Sequence, residues 1–159
     1  MPLTTELLVG CDFSSSASRV KPIVMATGSA AKGRVLLASL ECIESLDGFE
    51  QWLSQPRAWT AAFDFPFGLP RELVAHLDWP KQWPELIRHY AALSRPEIRA
   101  LFAAFCDARP VGQKFAHREA DRPAGSSPSM KWVNPPVAYM LHAGAPRLLS
   151  AGMHIPGLH

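Results

Sequence analysis

The chain has 159 residues, of which 48% are hydrophobic and 19% charged, and this length suffices for one domain with a substantial core. The composition excludes a disordered chain, and the longest apolar runs are too short to span a membrane. Three unclustered cysteines, Cys11, Cys42 and Cys106, indicate reduced core thiols rather than a disulfide framework, which predicts a cytoplasmic protein. The N-terminus, Met1–Glu6, lacks the features of a secretory signal.

The first part of the chain predicts three strands joined by short polar turns, which is typical of an antiparallel meander. The strands are expected at Leu7–Phe13, Pro22–Thr27 and Arg34–Cys42. A turn is expected at Gly28–Gly33, between the second and third strands.

A helix and a fourth strand follow. Asp47 is placed to cap a short helix. Its apolar face is expected to contain Phe49, Trp52 and Leu53. The strand expected at Trp59–Phe65 comes after this helix, so it is free to run parallel to a neighbouring strand.

After residue 70 the chain becomes helical in character. Helices are expected at Arg71–Leu77, Leu86–Leu93, Pro96–Arg109 and Pro136–Ser150. Trp79–Pro84 is expected to separate the first two. The tryptophans (Trp79, Trp83 and Trp132) are expected to serve core or interface packing of the helices on the sheet rather than to stack bases. Residues 110–135 form a long polar loop, and loops of this length are usually functional or disordered.

Charge is distributed unevenly. Residues 1–85 contain seven Lys and Arg against ten Asp and Glu, whereas residues 86–159 contain nine against four and five of the six histidines. An acidic half followed by a basic half is compatible with a metal site beside a polyanion-binding face, and also with ordinary surface charge.

Two aspartates, Asp12 and Asp64, stand at the ends of predicted strands. A carboxylate that is buried without a partner is costly, so a charge at such a position is paired, lies at a strand end or binds a cation. Asp12 also suits the capping of the Ser14–Ser18 turn, and Asp64 suits bonding into the Phe65–Pro70 turn. Two matching strand ends favour a shared site at one edge of a sheet.

The segments Val9–Ser14 and Ala62–Pro70 resemble the DUF429 family of uncharacterised bacterial proteins, which are predicted ribonuclease H-like nucleases. Tyr139–Leu149 and His154–Leu158 are similar to the same family, and the D-x-P-x-G-x-P run from Asp64 is the distinctive motif. The resemblance implies an α/β, ribonuclease H-like fold with a mixed sheet in the order β-β-β-α-β, followed by a helical part. Residues 1–159 would form a single domain, with 1–70 as its sheet half, and the C-terminal part of the fold would be missing.

The resemblance also implies a site. Asp12 and Asp64 would lie side by side on adjacent parallel strands and hold Mg²⁺ or Mn²⁺ for phosphodiester hydrolysis. Asp121 is a candidate third catalytic carboxylate. Hydroxyl, imidazole and cationic groups that could bind substrate phosphate belong to Ser14, His117, Arg118 and Lys131. The loop members of this set, with Asp121 and the neighbouring Arg122, equally fit a solvated loop, and His142 and His154 are expected to be structural.

The predicted function is therefore a metal-dependent nuclease that acts on nucleic acid or nucleotides. Nucleases of this type use a further carboxylate on a late helix. None of the acidic residues after Asp64 lies on an obvious late helix that would face the site. A non-catalytic module that binds nucleotide or nucleic acid is therefore an alternative, as is a phosphohydrolase of small molecules. An uncovered sheet edge would also suit a homo-oligomer.

Overall fold

The computed structural model describes residues 7–158. The chain divides into two compact units, Met1–Asp64 and Phe65–His159. The sequence predicts the boundary between the sheet half and the helical part at residue 70. Met1–Glu6, on which the absence of a secretory signal was judged, lie outside the described residues, as does His159. None of the helices in the described part of the chain has both the length and the apolar character needed to cross a membrane.

The first unit contains a four-stranded mixed sheet and one helix. Its elements are β1 (Leu7–Asp12), β2 (Ile23–Ala31), β3 (Arg34–Ile43), α1 (Leu46–Leu53) and β4 (Trp59–Phe63). The spatial order is β3-β2-β1-β4, with β2 antiparallel to both of its neighbours and β4 parallel to β1. The predicted α/β class, the β-β-β-α-β order and the parallel pairing of the first and fourth strands are confirmed.

Helix α1 packs on one face of this sheet through aromatic side chains. The Phe49 ring lies 5.3 Å from that of Phe13 and 6.2 Å from that of Phe63, measured between centroids. Trp52 packs on Trp59, and its indole N–H donates a hydrogen bond to a carboxylate of β3. Because these α1 side chains are almost completely buried, the predicted apolar face of the helix is confirmed.

The start of α1 differs from the prediction. Ser45, not Asp47, caps the helix: its hydroxyl oxygen accepts a hydrogen bond from the Gly48 N–H at 3.0 Å. Asp47 lies in the first turn, where its negative charge suits the helix dipole. Serine and aspartate are both good caps, and the helix begins two residues earlier than predicted.

The hairpin of β2 and β3 also differs from the prediction. Strand β2 continues through Gly28 to Ala31, and only Lys32 and Gly33 form the turn, both with positive φ. This is the backbone conformation of the tight two-residue turns that fit the twist of paired strands. A register shift between Thr27 and Gly28 lets the two strands continue to pair.

Strand β3 is an outer strand of the sheet and is exposed along almost its whole length. Its large apolar side chains have exposed fractions of 53–73%: Val35, Leu36, Leu37 and Leu40. Cys42 is exposed as well, so the prediction of a core thiol was wrong at this position, whereas Cys11 and Cys106 are buried. An outer strand contacts one strand neighbour only, and α1 covers just the end of β3 near Ile43.

The second unit is helical. Its elements are α2 (Arg71–His76), α3 (Trp83–Ala91), α4 (Arg95–Asp107), the short α5 (Asp121–Ala124) and α6 (Val137–Ser150). The four predicted helices are present, and α5 lies inside the predicted loop. Helix α3 begins at Trp83 with Pro84 in its first turn, so the expected break extends only to Gln82. Proline is favourable at this end of a helix because its missing N–H would have no partner there.

Aromatic rings form the core of the second unit. Tyr90 and Phe102 are fully buried with their rings stacked at 6.1 Å, and the Tyr90 hydroxyl donates a hydrogen bond to the Ala138 carbonyl at 2.9 Å. Trp79 packs against this pair, and the Trp83 indole N–H donates to a backbone carbonyl. The predicted core packing of Trp79 and Trp83 is confirmed within the helical unit, and packing of the helices on the sheet stays a prediction.

Candidate functional site: two carboxylates at a strand end

Strands β1 and β4 bring the two predicted aspartates together. The parallel register pairs Cys11 of β1 with Phe63 of β4. Asp12 and Asp64, the next residues in each chain segment, therefore lie at the same edge of the sheet. The Asp64 N–H donates to the Cys11 carbonyl at 3.2 Å, which extends the pairing to Asp64 itself. Both side chains are exposed at this edge.

The Asp64 carboxylate is held by the backbone of the residue that follows β1. Its Oδ1 accepts a hydrogen bond from the Phe13 N–H at 2.8 Å. The sequence allowed an alternative in which this carboxylate bonds into the turn that follows it, at Phe65–Pro70. The bond to Phe13 instead fixes Asp64 beside the residues that follow β1.

The pKa of Asp64 is raised above its ordinary value. Partial burial of the carboxyl group is the main cause, and the negative charge of Asp12 and a hydrogen bond with its side chain act in the same direction. The Phe13 N–H opposes the shift, because it stabilises the ionised form. The two carboxyl groups therefore interact with each other at this edge of the sheet.

Cys11 is buried beside this pair. Burial, together with the negative charges of Asp64 and Asp12, raises the pKa of its thiol to about 12. In the metal-free protein the thiol therefore stays protonated at neutral pH.

Ser14 is buried, with 4% of its surface exposed. Its hydroxyl oxygen accepts a long hydrogen bond, 3.4 Å, from the Ser16 N–H. Ser14 thus stabilises the turn that follows β1, and its predicted role in substrate binding stays a prediction.

The donor set of this edge fits a hard divalent cation. Mg²⁺ is commonly held by one or two carboxylates, with water and substrate oxygens completing its shell. Across residues 7–158, no group of three or more His, Cys, Asp or Glu side chains is arranged to hold a metal ion. Asp12 and Asp64 would therefore bind as a two-carboxylate site.

Asp121 belongs to a different structural arrangement. The residue is fully buried, and its carboxylate accepts hydrogen bonds from the Arg118 backbone N–H, Nε and Nη2 at 2.6–2.9 Å. The Ser126 hydroxyl donates to the same carboxylate at 3.2 Å. Asp121 thus organises its own loop in the second unit, and its predicted catalytic role stays a prediction.

The predicted phosphate-binding residues of the loop are only partly together. His117 and Arg118 line one cavity of about 570 Å³ in the second unit, whereas the Lys131 ammonium donates to the Asn134 carbonyl at 2.6 Å outside that lining. Arg109 and Glu72, which form an ion pair, line the same cavity and were missed. They lie far apart in the sequence, so no local motif indicates them.

His142 has a structural role, as predicted. One ring nitrogen lies 2.8 Å from the Leu93 carbonyl, and the ring meets Tyr90 edge-on. Burial lowers the pKa of His142, so the neutral ring is favoured in the folded protein.

No protein-family model, curated protein or solved structure matches this chain in the comparisons made.

Proposed function

We propose that the protein is a metal-dependent nuclease with a ribonuclease H-like fold, in which Asp12 and Asp64 hold a divalent cation. The observation that carries the proposal is the carboxylate pair at the adjacent ends of parallel strands β1 and β4. The resemblance of the segments around both aspartates to the DUF429 family supports the same assignment.

The two carboxylates have different environments. The Phe13 N–H orients the Asp64 carboxylate by donating to its Oδ1. Asp12 is exposed at the end of β1, so its carboxylate is accessible to a cation from solvent. A divalent cation, when bound, supplies Lewis acidity toward a phosphoryl oxygen. Its charge also relieves the repulsion between the two carboxylates.

The charge of the second unit supports a polyanionic substrate. Residues 65–159 contain eleven Lys and Arg against seven Asp and Glu, a net charge of +4, while residues 1–64 contain five against seven. Positive charge favours association with phosphodiesters and makes that association depend on salt.

The test is a cleavage assay with Mg²⁺ or Mn²⁺ on single-stranded DNA, RNA, RNA–DNA hybrid and branched DNA, alongside calorimetric titration of Mn²⁺. We expect cleavage and metal binding in the wild-type protein, and loss of both in Asp12→Asn. Asp47→Asn, which alters an exposed aspartate of α1 in the same unit, is the matched control and should retain both. The absence of cleavage on every substrate, together with the absence of Mn²⁺ binding, would overturn the proposal.

A non-catalytic module that binds nucleotide or nucleic acid is the second candidate. It is favoured by the two-carboxylate site within residues 7–158, because no third acidic ligand joins it there. This candidate requires salt-dependent binding without turnover, and binding that is equal at low and high salt would count against it.

A further inference from the structure

The cavity of about 570 Å³ in the second unit lies beside the loop that follows α4. Its volume is in the range of small-molecule sites. Its chemistry is dominated by charged side chains, and the lining residues used below are Glu72, Arg109, Phe115, His117, Arg118 and Arg122.

Arg109 is fixed at one side of this cavity. Its Nη1 pairs with the Glu72 carboxylate, and its Nε donates to the Gln113 carbonyl at 2.7 Å. The guanidinium also lies over the Phe105 ring, 4.9 Å from the centroid. These contacts hold the guanidinium rigidly through Nε and Nη1. The Nη2 group is then the part of Arg109 that would bind an anion.

Arg118 is fixed by the buried Asp121. Its Nε and Nη2 both donate to Asp121 Oδ1, at 2.9 and 2.6 Å. A carboxylate behind an arginine restrains the guanidinium, so less conformational entropy is lost when the remaining N–H groups bind an anion.

Arg122 differs from these two. It is exposed on α5, and among residues 7–158 its guanidinium has no hydrogen bond or ion pair. His117 is also exposed and has no such partner among the same residues. Two carboxylates share the lining, those of Glu72 and Glu119, and the carboxylate of Asp121 lies behind Arg118, so three guanidinium groups are accompanied by three carboxylates.

We propose that this cavity binds a phosphoryl anion through the guanidinium groups of Arg109, Arg118 and Arg122. Guanidinium groups match the oxygens of a phosphate in pairs and form strong, charge-assisted hydrogen bonds with them. The cavity is larger than one phosphate ion, and the Phe115 ring forms part of its wall. The phosphate comes either from free inorganic phosphate or from a nucleotide chain. The proposal does not depend on the metal site of the first unit.

The test is calorimetric titration of the full chain in EDTA and chloride buffer, with three probes: inorganic phosphate, adenosine monophosphate and a short single-stranded oligonucleotide. We expect saturable binding of at least one probe. Tighter binding of the nucleotide probes than of phosphate assigns the site to a phosphate on a larger molecule, and equal binding assigns it to the free ion. Both results support the proposal, and no saturable binding of any probe overturns it.

Arg122→Ala is the principal variant, because an exposed side chain without a protein partner is not needed for folding. It should weaken binding about ten-fold, the effect of losing one charge-assisted hydrogen bond. Arg118→Lys keeps the charge opposite Asp121 but loses the paired geometry, and it should weaken binding as well. Arg99→Ala is the matched control, since Arg99 lines a different cavity of the same unit. Unchanged binding in Arg122→Ala, or equal weakening in Arg99→Ala, overturns the proposal.

Discussion

The two units use apolar side chains in opposite ways. In the helical unit, the apolar residues of α3 and α4 form an aromatic core in which Tyr90 and Phe102 are fully buried. In the sheet unit, the apolar residues of the outer strand β3 are mostly exposed, with Leu37 and Leu40 each 64% exposed. Hydrophobic character alone therefore does not identify a stabilising residue in this chain, because the position of the element decides whether the side chain is buried.

The largest expected effect tests this contrast directly. Phe102→Ala should lower the free energy of unfolding by about 3–5 kcal/mol, because it leaves a cavity under the Tyr90 ring. Leu40→Ala should change it by no more than about 0.5 kcal/mol, because the side chain is already in solvent. Urea denaturation of both variants measures the difference, and similar losses would show that the outer strand is covered in solution.

The next effect concerns the backbone of the sheet unit. A Cβ on Gly28 would lie 2.3 Å from the Leu36 carbonyl oxygen, whereas a Cβ on Gly10 would meet nothing within 4 Å. Gly28→Ala should therefore destabilise the protein by about 3 kcal/mol, because backbone atoms must move. Gly10→Ala is the control and should be neutral or slightly stabilising. Denaturant midpoints that fall equally in both would contradict the tight approach of β2 and β3.

A smaller effect is expected on the pH dependence of the free energy of unfolding, through His142 of the helical unit. Since the pKa of His142 is lowered by burial, the unfolded chain takes up a proton at this residue more readily than the folded chain. Stability should be complete above about pH 6.5, the ordinary pKa of histidine, and decline as the pH falls toward the lowered value. The difference in unfolding free energy between wild type and His142→Gln, measured across that range, should show this decline. A difference that is independent of pH would contradict it.

The smallest effect tests the carboxylate pair of the sheet unit. The raised pKa of Asp64 means that the folded protein binds a proton more tightly than the unfolded chain, so stability falls as the pH rises through the raised pKa. Asp64→Asn should remove this decline and stabilise the metal-free protein at pH 7 by about 0.5 kcal/mol, the scale of exposed charge pairs. The amide oxygen still accepts the Phe13 N–H. Thermal unfolding in EDTA measures the change, and a destabilised variant would argue against repulsion.

Much of the sheet could be predicted because its strands are short apolar runs between turn residues. The sequence could not show that β3 is an outer strand, since that depends on how four strands are ordered, and the error at Cys42 follows from this. The cap of α1 was missed because Ser45 and Asp47 are both suitable residues. The strand ends that carry Asp12 and Asp64 were found, but the Arg109–Glu72 pair joins α2 to the loop that follows α4 and has no local signal.

The parallel pairing of β1 with β4 also sets which insertions the carboxylate pair tolerates. Side chains along a strand alternate between faces, so one residue inserted between Trp59 and Asp64 would move the second carboxylate to the opposite face of the sheet. Residues added to the Lys32–Gly33 turn would leave both carboxylates where they are. The separation of the two aspartates along the chain can therefore vary widely, whereas the count of residues within β4 cannot change by one.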